Sequence, residues 1–259
     1  MPTLTRHIVN WAAAFEDGAI IRAAFFGLLT ATGVILYLDY TELMARQPLA
    51  IAPDLSPILP AFDPTAPAGK PGPEVRTPME VLRRPLSVAL VSGGVLQLSG
   101  TFDVGAADRV AAEIAAHGEY VKTVALDSPG GAVAEALAIG QLIRDKGYAT
   151  SVAAGALCAS SCPLAFAGGR ERLATAASAI GVHQIFAAAP VGSVLTQLQA
   201  AGNAMAEAQA LTARISRYLA KMGVNEEVWL RALETPPDKL NYFSPDDLTR
   251  LNLATRLTR

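Results

Sequence analysis

Charge is scarce in this chain. Only 17% of its residues are charged and the formal net charge is −2. No basic patch carries interleaved aromatics, so composition excludes a nucleic-acid partner. Cysteine is scarcer still: Cys158 and Cys162 are the only two. They form no CxxC pair, and no HExxH or acidic cluster offers a metal its ligands. Neither GxGxxG nor GxxxxGK[ST] occurs, which removes the usual nucleotide cradles. The sequence therefore calls for no metal or other cofactor. Histidine is limited to His7, His117 and His183, so a base of that type has few sources. Apolar residues are plentiful at 51%, enough for a full core across 259 residues in one large domain or two small ones.

The apolar residues are unevenly spread. AIIRAAFFGLLTATGVILYL, residues 19–38, carries one charge, Arg22, near its start. About 20 such residues span a bilayer as a helix. Arg22 can reach back towards headgroups, and Tyr37 and Tyr40 suit the opposite interface. No small-x-small cleavage site follows immediately, so the segment reads as a retained single-pass anchor. Arg6 and Arg22 precede the run, against Asp39, Glu42 and Arg46 beyond it. This balance points to a cytoplasmic N-terminal segment (1–18) and an extracytoplasmic, periplasmic remainder. Residues 39–85 form the next region, where ten of the 17 prolines fall between Pro48 and Pro85. That density reads as extended spacer.

From residue 86 to 259 short apolar runs alternate with helical periodicities. SVALV and VLQLSG read as strands joined at Ser92–Gly94, and Asp103–His117 as a helix stopped by Gly118. VKTVALD is a strand running into SPGG, followed by a helix over Val133–Lys146. YATSVAA and AIGVHQI are further strands, the second containing His183. Val194–Met222 is a long amphipathic helix, and Ser244-Pro245-Asp246-Asp247 has the residues of a helix start. The alternation predicts an α/β fold with a mostly parallel sheet.

Three features could carry chemistry. Gly130 and Gly131, between a strand and a helix, allow backbone N–H groups to face a ligand oxygen; the same SPGG is also a common inert turn. CASSC can lift a serine hydroxyl above a sheet edge, or can be small-residue packing. His183 in an apolar strand is ordinarily a core histidine, yet it is the one credible base for a serine. His117, beside Gly118, is explained by its helix C-terminus.

SPGG, a serine in A-S-x entering a helix, and a strand bearing HQ, in this order, resemble the Clp protease catalytic subunit and its ClpP/crotonase-fold relatives. The resemblance covers roughly residues 86–253 and is closest to membrane-anchored or periplasmic Clp-class proteins. It implies repeated β-β-α units and a serine peptidase that cleaves extended peptides as a homo-oligomer. Ser160 takes the nucleophile's place and His183 the base's. The backbone N–H groups of Gly131 and Ser161 would form the oxyanion hole. The family's acid position falls on Leu240 in strict alignment; Asp238 is two residues early and Asn241 one late. Asp238 is the favoured third member, with Asn241 the alternative. Relatives with a Ser-Lys dyad, such as signal peptide peptidase A, match poorly because neither Lys122 nor Lys146 sits in a matching motif.

Cys158 and Cys162 would share a face if helical, with Cα atoms about 6 Å apart, within disulfide reach. Two buried thiols filling space are the alternative. Two rival functions stay open. One is a non-catalytic scaffold on the same fold, binding membrane-protein segments. The other is an acyl-CoA crotonase, against which the Ser160/His183 pairing speaks.

Overall fold

The computed structural model describes residues 17–45, 73–185 and 194–258. The start of the chain and most of the expected spacer, 46–72, lie outside the described residues. So does 186–193.

Helix α1, Asp17–Ala45, includes a run of 21 residues, Ile21–Thr41, long and apolar enough to cross a membrane. It is apolar on every side, with Phe25, Leu28 and Ile35 all exposed. Two of its hydroxyls turn back onto the helix: Thr30 Oγ1 donates to Phe26 O (2.7 Å) and Thr41 Oγ1 to Leu38 O (2.9 Å). Such back-bonding leaves neither hydroxyl proton for an apolar surrounding to strand.

The second unit is α/β. Strands β1 (Ser87–Val91) and β2 (Val95–Ser99) form an antiparallel hairpin. Strands β3 (Thr123–Asp127), β4 (Ala149–Val152), β6 (Arg172–Thr175) and β9 (Arg256–Thr258) extend it in parallel, in the order β1-β2-β3-β4-β6-β9. A second sheet, β5-β7-β8, comprises Leu157–Ala159, Ala179–Val182 and Asn241–Tyr242. Here β5 and β7 are parallel and β8 is antiparallel. The bridge between Ser128 and Cys158 joins the two sheets where the candidate residues gather.

Helices α3 (Ala106–His117) and α4 (Val133–Lys146) bury Val110 and Ile114, and Ala136, Ile139 and Ile143, against the main sheet. These positions recur at helical spacing, so each helix presents one apolar stripe. Helix α5, Cys162–Ala167, is short and buried throughout. It crosses α4 at a glycine contact: a Cβ on Gly168 would stand 2.1 Å from Gly140 O. Helix α6, Val194–Met222, buries Ile215, Tyr218, Leu219 and Met222, while residues 204–210 are exposed. Helices α7 (Glu227–Glu234) and α8 (Pro245–Arg250) complete the unit. Ser244 caps α8 as its sequence predicts, its Oγ accepting the Asp247 N–H at 3.1 Å.

Two arginines without a carboxylate partner among the described residues hold the far side together. Arg172, 2% exposed, donates to the carbonyls of Gly169, Asn252 and Leu253. Arg144 donates to Ala167 O and Gly169 O. Helix C-termini carry unpaired carbonyls and negative partial charge, which is what a buried guanidinium needs. Burial and the neighbouring Arg144 charge push Arg172 down to about 10.

The folded unit starts earlier than proline density implies. From Val75 onward the chain is packed, not free spacer. Arg76 N–H donates to Gly155 O, and Leu82 of a short helix α2 (Met79–Leu82) is fully buried. Prolines 73, 78 and 85 break regular structure, but the apolar residues between them have a surface to bury against. Residues 75–85 therefore form a packed strap, with Val75, Met79 and Leu82 against Leu157, Ala159 and Ala179.

Candidate active site

Strand β3 ends at Asp127, buried, whose Oδ1 accepts the Leu157 N–H at 2.9 Å. Its Oδ2 accepts the hydroxyl of Thr77 from the strap. One carboxylate thus ties the strap to the start of β5. Ser128, fully buried, continues the link: its N–H donates to Leu157 O (2.6 Å) and its O accepts from Ala159 N–H (3.0 Å).

The next glycines are needed where they stand. Gly130 has φ +95° and Gly131 φ +140°. A Cβ on Gly130 would meet Ala159 O at 2.6 Å, Ser160 Cβ at 2.7 Å and Ser161 N at 2.9 Å. The glycine turn and the serine turn are therefore in van der Waals contact. Gly130 O accepts from Phe102 N–H, and Phe102 O from Ala132 N–H, both at 2.8 Å. Among the described residues no acceptor takes the Gly131 or the Ser161 N–H. Ser161, 4% exposed, donates its hydroxyl to Gly131 O at 3.0 Å, so its side chain is spent on holding the two turns together.

Between β5 and α5 stands Ser160, with φ +61°. A non-glycine residue in this left-handed region is uncommon and costs conformational energy. The Ser160 N–H donates to Gly181 O of β7 at 3.0 Å. Its half-buried hydroxyl makes no hydrogen bond among the described residues.

Strand β7 stops one residue before His183, which sits just past its end and not within it as the apolar run suggested. The pairing of Ala159 with Gly181 brings Ser160 and His183 to the same ends of neighbouring parallel strands. Gln184 latches that end to α7, its N–H donating to Thr235 O (2.9 Å) and its Nε2 to Leu233 O (2.6 Å). His183 is half-buried, and desolvation lowers its pKa below the ordinary histidine value. No hydrogen bond joins its ring to Ser160 among the described residues. Its Nδ1 is buried without a partner.

The β7–β8 pairing stops just short of that ring. Gly181 pairs with Tyr242 and Val182 with Asn241. The ladder ends there; next to its last pair stand His183 and Leu240, the residue that strict alignment puts at the acid position. Leu240 packs with Leu157, Ala159 and Ala179 and offers a nitrogen nothing. Asp238 lies on an exposed turn and makes no hydrogen bond or ion pair among the described residues. Asn241 is half-buried beside Val182, and its side chain is likewise unpaired there. Ser160, His183, Gly131 and Ser161 are gathered at one place; among the described residues neither Asp238 nor Asn241 hydrogen-bonds the imidazole.

Cys158 and Cys162 form a disulfide with Cα atoms 5.1 Å apart. They are not on one helix. Cys158 is the middle residue of β5 and Cys162 the first of α5, so the bridge spans the turn that carries Ser160.

Three contributors were not legible in sequence: the Gln184 latch, the Asp127–Thr77 tie and the strap. An aspartate ending an apolar strand was the only available sign. A cleft of about 220 Å³ beside the strap is lined by Arg76, Thr77, Gln97, Asp127 and Gly155. Neither Ser160 nor His183 lines it, so it is a neighbour of the site. No protein-family model matches the chain and no curated protein matches it in sequence.

Proposed function

We propose that this protein is a membrane-anchored serine peptidase of the ClpP/crotonase type, hydrolysing peptide bonds with Ser160 as nucleophile and His183 as base. The observation that carries the reading is the left-handed Ser160 at a strand-to-helix turn. Strained serines at such turns hold the hydroxyl clear of the sheet, as nucleophiles require. His183 at the end of the adjacent strand supports the base's role.

In the reaction, Ser160 Oγ attacks the substrate carbonyl while His183 takes its proton. The N–H groups of Gly131 and Ser161 stabilise the oxyanion, each such donor contributing roughly 10²- to 10³-fold. The imidazolium returns the proton to the leaving amine, and water then hydrolyses the acyl-enzyme with His183 again as base. Asp238, or Asn241, would orient the ring only if its loop moved; without that movement the site is a Ser-His dyad. The substrate is an extended peptide, and the enzyme works as a homo-oligomer.

Helix α1 is the anchor, and the disulfide supports an extracytoplasmic unit, since such bonds persist in oxidising compartments. The second reading, a scaffold that binds membrane-protein segments without cleaving them, is favoured by one observation: the unpartnered Nδ1 of His183. Hydrolysis of an unfolded protein by the detergent-solubilised chain separates the two. The peptidase reading expects turnover that Ser160→Ala abolishes and Ser161→Ala retains. Equal turnover, or none, in wild type and Ser160→Ala contradicts it.

A further inference from the structure

We infer that the Cys158–Cys162 disulfide is a positioning device for Ser160, making the nucleophile's reactivity dependent on thiol redox state. This rests on the peptidase reading of the same site and adds a regulation to it.

The bridge closes a five-residue ring whose centre is Ser160. Four extended residue steps would span about 13 Å, against the 5.1 Å between the two Cα atoms. The ring keeps the chain folded back, and with Cys158 held inside β5 and Cys162 at the start of α5, Ser160 takes the reversal between them at φ +61°. A serine gains nothing intrinsic from that conformation. It persists only while its surroundings over-determine it.

The non-covalent restraints lie around the turn: Ala159 N–H to Ser128 O, Ser160 N–H to Gly181 O, and Ser161 Oγ to Gly131 O. The first ends before Ser160 and the last begins after it. Only one of the three, the N–H to Gly181, holds Ser160 itself, and it leaves the hydroxyl's direction free. Both cysteines are fully buried, in the layer that also holds Phe166 and Ile180. They therefore gain the packing of small apolar residues either way. What oxidation adds is the closed ring.

Opening it takes two electrons and two protons from a dithiol, which is itself oxidised to a disulfide. The two thiols formed stay in the core, while Ser160 is released to right-handed or extended backbone. Left-handed backbone is disfavoured for an L-residue by an amount corresponding to a roughly 5- to 30-fold population ratio. Reactivity of the hydroxyl should fall by that factor.

The test measures the rate at which a fluorophosphonate labels Ser160 in the full detergent-solubilised chain, oxidised and after dithiothreitol. Mass spectrometry of alkylated thiols establishes that both cysteines are reduced. The Cys158→Ala/Cys162→Ala double variant gives a second route to the open ring. The inference expects labelling at Ser160 to slow roughly 5- to 30-fold in both, with unchanged circular dichroism and cooperative unfolding, and to recover when the reduced wild type is reoxidised. Undiminished labelling of the reduced or double-variant protein overturns the inference and leaves the peptidase reading intact. Slowing that tracks loss of the fold and does not recover on reoxidation overturns it too, since that is the mark of a purely structural bond. No labelling of the oxidised wild type overturns both.

Discussion

At the residue scale, the site turns on what faces each ring nitrogen of His183. Burial lowers its pKa, so the imidazole is neutral, and able to act as a base, to more acid pH than an ordinary histidine. The acid limb of the rate profile is expected below about 6.5, the usual histidine value; a limb at or above that value contradicts the assignment of His183 as base. The same shift acts on stability. Because the unfolded chain binds the proton first, this contribution is present above about 6.5 and is lost as pH falls towards the folded pKa.

The orphaned Nδ1 gives a sharper forecast. Leu240→Asp puts a carboxylate next to the last β7–β8 pair, where a partner for Nδ1 is absent among the described residues. A triad acid contributes up to roughly 10⁴-fold. Recovering a modest part of that, about tenfold, should show as faster peptide hydrolysis, at some loss of thermal stability because Leu240 leaves an apolar cluster. An unchanged or slower rate in a folded Leu240→Asp protein would show that Nδ1 needs no partner, or that Leu240 does not face it. Sequence placed Leu240 at that position by motif spacing, but motif spacing could not show what the ring meets there. The fold adds that Leu240 lies beside the last β7–β8 pair and packs in an apolar cluster.

At the element scale, the serine turn is fitted against the glycine turn as one solid piece. Gly130→Ala would drive a methyl into Ala159 O, Ser160 Cβ and Ser161 N, two of which are backbone and cannot swing away. Overpacking of this kind costs about 1–3 kcal/mol, with added strain at φ +95°. The expected result is a lower midpoint in chemical denaturation and a loss of labelling at Ser160. A Gly130→Ala protein with wild-type stability and reactivity would contradict the packing of the two turns.

The elements with strong local signals were readable in advance. Val133–Lys146 has its apolar stripe and a glycine stop, and Val194–Met222 has a long period of the same kind. The strands β5, β8 and β9 were not, because each has three residues or fewer and draws its stability from neighbours distant in sequence. The strap failed for a related reason. Its prolines advertise spacer, while the packing of Val75, Met79 and Leu82 depends on a sheet built from Leu157, Ala159 and Ala179, far along the chain.

At the scale of the whole molecule, the chain has an apolar helix able to cross a membrane and an α/β unit with an internal disulfide. The anchoring reading expects the full chain to resist extraction from membranes by alkaline carbonate, and a chain lacking residues 1–45 to be released. The same fractionation of both chains would contradict it.

The central claim is that Ser160 is an activated nucleophile. Its most direct measurement is the site of fluorophosphonate attachment in the oxidised full-length protein, mapped by peptide mass spectrometry. The account predicts a single adduct on Ser160, absent in Ser160→Ala, strongly reduced in His183→Ala and present in Ser161→Ala. An adduct on Ser161, or none on the wild-type protein, would contradict it.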